Sequence, residues 1–491
     1  MKRYIKVIDL VVLFETTVAV LLYLVLYNAA FSNFSSTIYV LSVLGWIELV
    51  FCFISMKRKC GKFFTLYSIF MGFAFLFTYG QCLLWAFGIH LDHEISNTRL
   101  YRLGFPTEES IIRAQMLTLT GLQVFHCGAL LAFRKKAVQE RALSDRFFSA
   151  GNKSALLKAS WICNLVSTPF MVYSILRSIA INRVYGYGAT LNNAEVVATQ
   201  NNLIMLIRLM YIPSLFGILI ASDYKKWSVR FCYLSFFAYM IISMLAGDRG
   251  EWLFPLFFLV WMHHRFYKPI RARSLAAYLL LGLLFVTVSV GIRESRSAGV
   301  TISGFAEALV GSENPIISAV FEMGSSMRPT VVLTQYGWNN YPYGNSYLLA
   351  IVGMITERPL RALIPGYQSL SSWFSGSFLG INYGAGFSFL AEAFSNFGPY
   401  LFLAAMFIIG VLFSKFMFFA ESIDNSNRPV LIFFAMATAN SMILSIRNTM
   451  LVSLKYWAYS TLPILAVCYF LYALTAKKRA SAYRVGVRIR E

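Results

Sequence analysis

The sequence predicts an all-α polytopic membrane protein with about twelve transmembrane helices, both termini cytoplasmic and one large external loop. Composition is the first observation behind this. Of 491 residues, 58% are hydrophobic and 13% charged, whereas a soluble domain runs near ~45–50% apolar and ~25% charged. So little charge cannot clothe a water-soluble protein of this size, which excludes a cytosolic enzyme, a secreted protein and a disordered chain. The second observation is a series of apolar runs of spanning length near 8–28, 37–55, 63–90, 115–133, 160–181, 203–221, 230–246, 251–264, 275–292, 397–416, 430–447 and 451–474. The third is the distribution of positive charge, which orients the spans.

The first run follows Met1-Lys2-Arg3 without a small-residue cleavage site and reads as a retained anchor. With the N-terminus inside, segments 1–7, 56–62, 134–159, 222–230, 265–274, 415–429 and 475–491 are cytoplasmic and hold most of the Lys and Arg. This accounts for the net charge of +21 without nucleic acid, since no long soluble basic segment exists to bind it. Every cation assigned outside is an Arg: Arg99, Arg102, Arg113, Arg183, Arg249, Arg293, Arg296, Arg328, Arg358, Arg361 and Arg447. Lys would satisfy the orientation rule equally well. An all-Arg face therefore suits bidentate recognition of phosphate or carboxylate, or else simple snorkelling at an interface. Arg177, Arg208 and Lys455 fall within spans, where a charge is costly and marks a functional or paired site.

The chain divides into an N-terminal transmembrane bundle of about nine helices over 1–292, an external loop over 293–396, and C-terminal spans with a basic tail over 397–491. Within the loop, Ile316–Phe321 and Tyr347–Ile355 are apolar but too short to span, and read as re-entrant or surface-lying helices. Tyr336 to Asn345 and Gly366 to Gly386 are rich in Tyr, Trp, Asn and Gly. Such residues suit sugar faces and hydroxyls, or an interfacial aromatic belt. The seven Cys form no CxxC and read as reduced packing residues. No internal repeat of the kind that carriers show is evident.

Several pieces then fall into a familiar order: Gly247-Asp248-Arg249-Gly250-Glu251, Phe321-Glu322-Met323-Gly324 before Arg328-Pro329-Thr330, Tyr343-Gly344-Asn345-Ser346-Tyr347, and Phe389 to Gly398. In this order, span count and large outer loop, the chain resembles bacterial Wzy-type polymerases of O-antigen or oligosaccharide repeat units. The resemblance implies a GT-C-like glycosyltransferase in the bacterial cytoplasmic (inner) membrane, its active site facing the periplasm or cell exterior. It further implies transfer of a growing glycan from undecaprenyl pyrophosphate to the free end of a lipid-linked repeat unit, without metal, nucleotide sugar or other cofactor. A chain-length regulator is the partner it suggests, and O-antigen, capsule, common antigen or exopolysaccharide the product classes. The family's essential Arg residues in two outer loops map onto Arg249 and onto the group Arg293, Arg296 and Arg328.

The residues fit that chemistry. Cleaving the anomeric C–O bond leaves a lipid pyrophosphate whose growing negative charge preorganised Arg groups stabilise. The preferred set is Arg249, Arg293, Arg328 and Arg447, with Arg296, Arg177, Arg208 and Lys455 in support. The base that accepts the hydroxyl proton comes from Asp248, Glu251, Glu294, Glu322, Glu357 and Glu392, with Glu392 first and Glu322 second. For Asp248 and Glu251, pairing with Arg249 is the preferred role. An O-antigen-ligase-like transferase and a flippase for the same lipid-linked glycan are the alternatives. The large loop has no His, which weighs against the ligase. A polyprenyl-monophosphate sugar transferase would carry acids in the first outer loop, and residues 29–36 have none.

Overall fold

The computed structural model describes residues 7–133, 152–185, 202–246, 250–271, 274, 282, 314–381, 385–422 and 428–488. Among these the chain is helical without strands, and ten helices are long and apolar enough to cross a membrane. They are α1 (Val7–Leu26), α2 (Phe34–Cys60), α3 (Leu66–Trp85), α4 (Glu108–Ala132), α5 (Lys153–Tyr185), the pair α6 (Asn202–Arg208) and α7 (Tyr211–Ala221), α8 (Lys226–Ala246), and, after the loop, α14 (Phe389–Ser422), α15 (Pro429–Ile443) and α16 (Met450–Arg488). The eighth apolar run forms α9 (Gly250–Met262), which holds Pro255 and passes into a π-helical turn, His263–Tyr267. Its 13 residues rise roughly 20 Å, short of a bilayer core. The ninth run, 275–292, lies outside the described residues.

Local chemistry sets the helix ends. Asn33 Oδ1 accepts the Ser36 N–H at 3.1 Å to start α2, and Gly61, at φ 81°, ends it after Lys57, Arg58 and Lys59. Thr65 and Thr107 cap α3 and α4 in the same way as Asn33 caps α2.

The core is built on α4 and α3, whose apolar windows are 94% and 83% buried, while α1 and α2 bury only 22% and 17% and leave the rest for lipid. α4 meets α14 backbone to backbone. A Cβ on Gly128 would stand 2.3 Å from the Phe407 carbonyl oxygen, and one on Gly410 2.2 Å from that of Phe125. Ser414 Oγ donates to the Ala129 carbonyl at 2.6 Å across the same contact. In lipid there is no hydrophobic drive between helices, so small residues that permit close approach carry the association.

Four short helices fold the loop back over one end of the bundle: α10 (Pro315–Gly324), α11 (Arg328–Tyr336), α12 (Ser346–Gly353) and α13 (Arg358–Leu363). By the charge rule this is the outer end. α10 and α12 realise the two short apolar stretches. α10 docks on α3 where Gly80 faces Gly324, and a Cβ on Gly324 would lie 2.3 Å from the Gln81 nitrogen. Gln81 then donates to the Phe321 carbonyl at 2.9 Å and accepts the Ile95 N–H at 2.9 Å. α12 buries Ala350 and Gly353 and exposes Leu348, Ile351 and Val352, the face of a surface-lying helix.

Two Glu residues inside the first two spans belong to no motif of the sequence. Glu15 Oε2 and Glu48 Oε1 are buried without a hydrogen-bond partner among the described residues.

Gly128→Val should separate α4 from α14 and cost at least the ~1–3 kcal/mol of ordinary overpacking. Thermal unfolding in detergent should show a clear fall. Gly72→Ala, whose Cβ meets only Phe53 Cζ at 3.6 Å, should leave it unchanged.

Candidate active site at the outer end

Glu392 lies in the first turn of α14, ahead of the kink at Gly398, where φ is 68° and the Trp338 ring fills the space a Cβ would need. Its residue is 1% exposed. Oε1 accepts from Ser346 Oγ at 2.6 Å, and Oε2 accepts from the Met450 N–H at 2.6 Å. Asn396 completes the junction: its Oδ1 accepts the Ser346 N–H at 2.7 Å and its Nδ2 donates to Ser346 Oγ at 2.8 Å. One carboxylate therefore binds the starts of α12 and α16 to α14, where it complements helix N-termini. Around it, Tyr347 Oη, Thr449 Oγ1 and Ser453 Oγ are buried without hydrogen-bond partners among the described residues. Burial, reinforced by Glu392, pushes the Tyr347 phenol well above its ordinary value, so it remains a donor. These hydroxyls carry no charge pattern by which a sequence could announce them.

Arg328 opens α11. Its Nη1 donates to Tyr101 Oη at 3.3 Å and its guanidinium lies 5.7 Å from the Tyr101 ring centre. Tyr101 itself is held at φ 54°, a left-handed conformation that costs about 1–2 kcal/mol. Its contact with Arg328 could not be read from the sequence. Arg447 follows the 3₁₀ turn Leu444–Ile446 and lies exposed, 5.8 Å from the Phe77 ring centre. Both arginines thus follow 3₁₀ turns seated on the outer half of α3, since Met327 Sδ meets Cys82 Sγ at 3.6 Å. Phe254 of α9 packs on the same Phe77 ring, at 5.5 Å.

The other expected cations among the described residues contact other elements. Arg208 Nη1 donates to Ser174 Oγ at 3.3 Å, one turn before Arg177, so this pair belongs to α5 and α6. Lys455 is ion-paired with Glu357, which also has Arg361 Nη2 at 3.7 Å; its charge is balanced by the loop. Glu322 is half-buried on α10, and its carbonyl accepts from Ser325 Oγ at 2.6 Å. Arg249, Arg293, Arg296, Asp248 and Glu294, and the side chain of Glu251, lie outside the described residues.

The loop aromatics pack largely on one another. Tyr341 lies 5.4 Å from Trp373 and 5.4 Å from Tyr343, which lies 5.6 Å from Tyr367. The hydroxyls of Tyr341 and Tyr343 donate to the Gln368 and Gly366 carbonyls. These rings hold the loop's shape and present little open face to a sugar. The outer loop between α3 and α4 is organised by Glu94, which no sequence motif singles out. It accepts from Trp85 Nε1 at 2.8 Å and contacts His90 Nδ1 at 3.0 Å. Gln335 ties the two loops together, accepting from the Thr107 N–H and Ser110 Oγ and donating to the Phe105 carbonyl. Among the described residues no group of three His, Cys, Asp or Glu is placed to hold a metal ion.

Residues 11–479 of the chain match the family model described as O-antigen polysaccharide polymerase Wzy. The chain belongs to that family. No curated protein and no solved structure matches it. Membership makes the protein a multi-pass membrane polymerase of the glycosyltransferase type, and implies a lipid-linked oligosaccharide as substrate. The polymerase thus brings Arg328 and Arg447 to one helix, and holds Glu392 inside the junction rather than open to the surface.

Glu392→Gln offers an amide N–H₂ where one of two donors needs an acceptor. It should cost about 1–3 kcal/mol and lower the thermal unfolding temperature of the purified protein. An unchanged temperature would remove Glu392 from its structural role.

Proposed function

We propose that the polymerase transfers a growing glycan from undecaprenyl pyrophosphate to the free end of a lipid-linked repeat unit, at the outer face of the bacterial cytoplasmic membrane. The seating of Arg328 and Arg447 on the outer half of α3 carries this reading. The acceptor hydroxyl oxygen attacks the anomeric carbon. The C–O bond to the pyrophosphate breaks, and the lipid pyrophosphate leaves with the electron pair. Arg328 and Arg447, joined by Arg249 and by Arg293 or Arg296, bind its oxygens through bidentate, charge-assisted hydrogen bonds. Arg177 and Arg208 form a second cationic group on α5 and α6, placed to steer the anionic lipid, and Lys455 holds the loop through Glu357.

The proton goes to a carboxylate. Glu322, half-buried and six residues before Arg328, suits that role. Glu392 positions, because both of its oxygens already hold donors.

Deleting the gene should leave a single exported repeat unit, seen on a gel of lipid-linked and surface glycans. Long polymer stranded on its carrier would indicate a ligase instead, and repeat units trapped on the cytoplasmic side a flippase. In the complemented strain, Arg328→Ala should lower polymer formation by ~10²–10³-fold, with Arg328→Lys rescuing poorly. Glu322→Gln should abolish extension while the protein still retains lipid-linked substrate. Glu392→Gln that stays fully stable yet inactive would transfer the base role to Glu392.

A further inference from the structure

At the end opposite the loop, the structure holds a cleft of about 340 Å³, within the range of small-ligand sites. By the charge rule this is the cytoplasmic end. Its walls come from the α2–α3 turn, the ends of α4 and α14, and the π-helical turn after α9. A single-turn π-helix of this kind often marks a functional position. Phe64, Trp261 and Phe418 form an apolar wall, and Lys62, His264 and Arg265 a polar one.

The polar wall has unused capacity. Lys62 makes no hydrogen bond or ion pair among the described residues. Arg265 Nη2 donates to the Glu421 carbonyl at 3.1 Å, and its remaining N–H groups have no acceptor among the described residues. The carboxylate in the lining, Glu421, accepts the Leu66 N–H through Oε1 at 2.5 Å, at the start of α3, and attracts Lys62 and Arg265 across the cleft without a hydrogen bond from either to its carboxylate. Two cations with free donors therefore face a cleft whose other side is aromatic.

We propose that this cleft binds the phosphate headgroup of an anionic phospholipid of the cytoplasmic leaflet, with Lys62 and Arg265 on the phosphate oxygens and the chain along Trp261 and Phe418. Phosphate supplies the acceptors that Lys62 and Arg265 lack, and the apolar wall favours a lipid over a free ion. A basic pocket between helix ends at the cytoplasmic surface is a general setting for such headgroups. A bound lipid would link the α2–α3 turn to the end of α14, the helix whose other end holds Glu392.

The test is native mass spectrometry of the full-length protein, purified in detergent and titrated with phosphatidylglycerol or phosphatidylcholine. Phosphatidylglycerol should be retained at a stoichiometry of one, and phosphatidylcholine should not. Lys62→Ala with Arg265→Ala should weaken retention by roughly tenfold or more. Lys268→Ala with Arg271→Ala, which removes two cations of the same end outside the cleft, should leave it unchanged. Equal retention of the two lipids, or equal loss in both double variants, would overturn the proposal. Displacement of phosphatidylglycerol by millimolar inorganic phosphate would overturn the lipid assignment and leave a soluble phosphate ester as the ligand.

Discussion

The outer half of the molecule depends on one buried carboxylate. Glu392 satisfies an orphan backbone donor at the start of α16 and the Ser346 hydroxyl at the start of α12. These helices begin 58 and 46 residues from it in the chain. Without the carboxylate the junction would leave a backbone N–H buried and unpaired, at a cost near that of a lost charged hydrogen bond. With it, the loop's surface helix, the last span and the kinked entry to α14 share one fixed point. The glycine contact between α4 and α14 then transmits that point into the core, because two helices that touch along their backbones cannot slide independently.

A similar economy shapes the cations. Arg328 and Arg447 come from positions more than a hundred residues apart in the chain, yet each follows a 3₁₀ turn resting on α3. An aromatic ring stands beside each guanidinium, Tyr101 beside Arg328 and Phe77 beside Arg447. Lys455 is ion-paired with Glu357 and acts within the fold. Family membership places a glycan polymerase around this arrangement, and the arrangement supplies a reason for arginine at the outer end.

Much of this was legible in the sequence. Apolar runs translate directly into spans because lipid demands internal satisfaction of every backbone group, and a helix does that alone. The short stretches Ile316–Phe321 and Tyr347–Ile355 were legible as surface helices for the same reason of length. The end of the eighth run was not, because Pro255 and a π turn change the helix geometry without changing hydropathy. At the candidate site, residue type made Glu392 and the arginines candidates, but pairing did not follow from type. Lys455 and Glu357 lie 98 positions apart, and nothing local announces their contact. The loop's Tyr and Trp residues read equally well as a sugar platform or a packed belt, and only the ring-to-ring distances separate the two. Glu94 and the hydroxyls near Glu392 were invisible because their importance lies in burial, which composition does not encode.

The central claim is that Arg328 and Arg447 act on one pyrophosphate. A double-mutant cycle on the purified polymerase tests it most directly, with the turnover of lipid-pyrophosphate-linked repeat units measured for Arg328→Ala, Arg447→Ala and the double variant. If both side chains hold the same leaving group, the second substitution should cost far less once the first is made. Fully additive losses, or a variant that turns over at the unmodified rate, would contradict it.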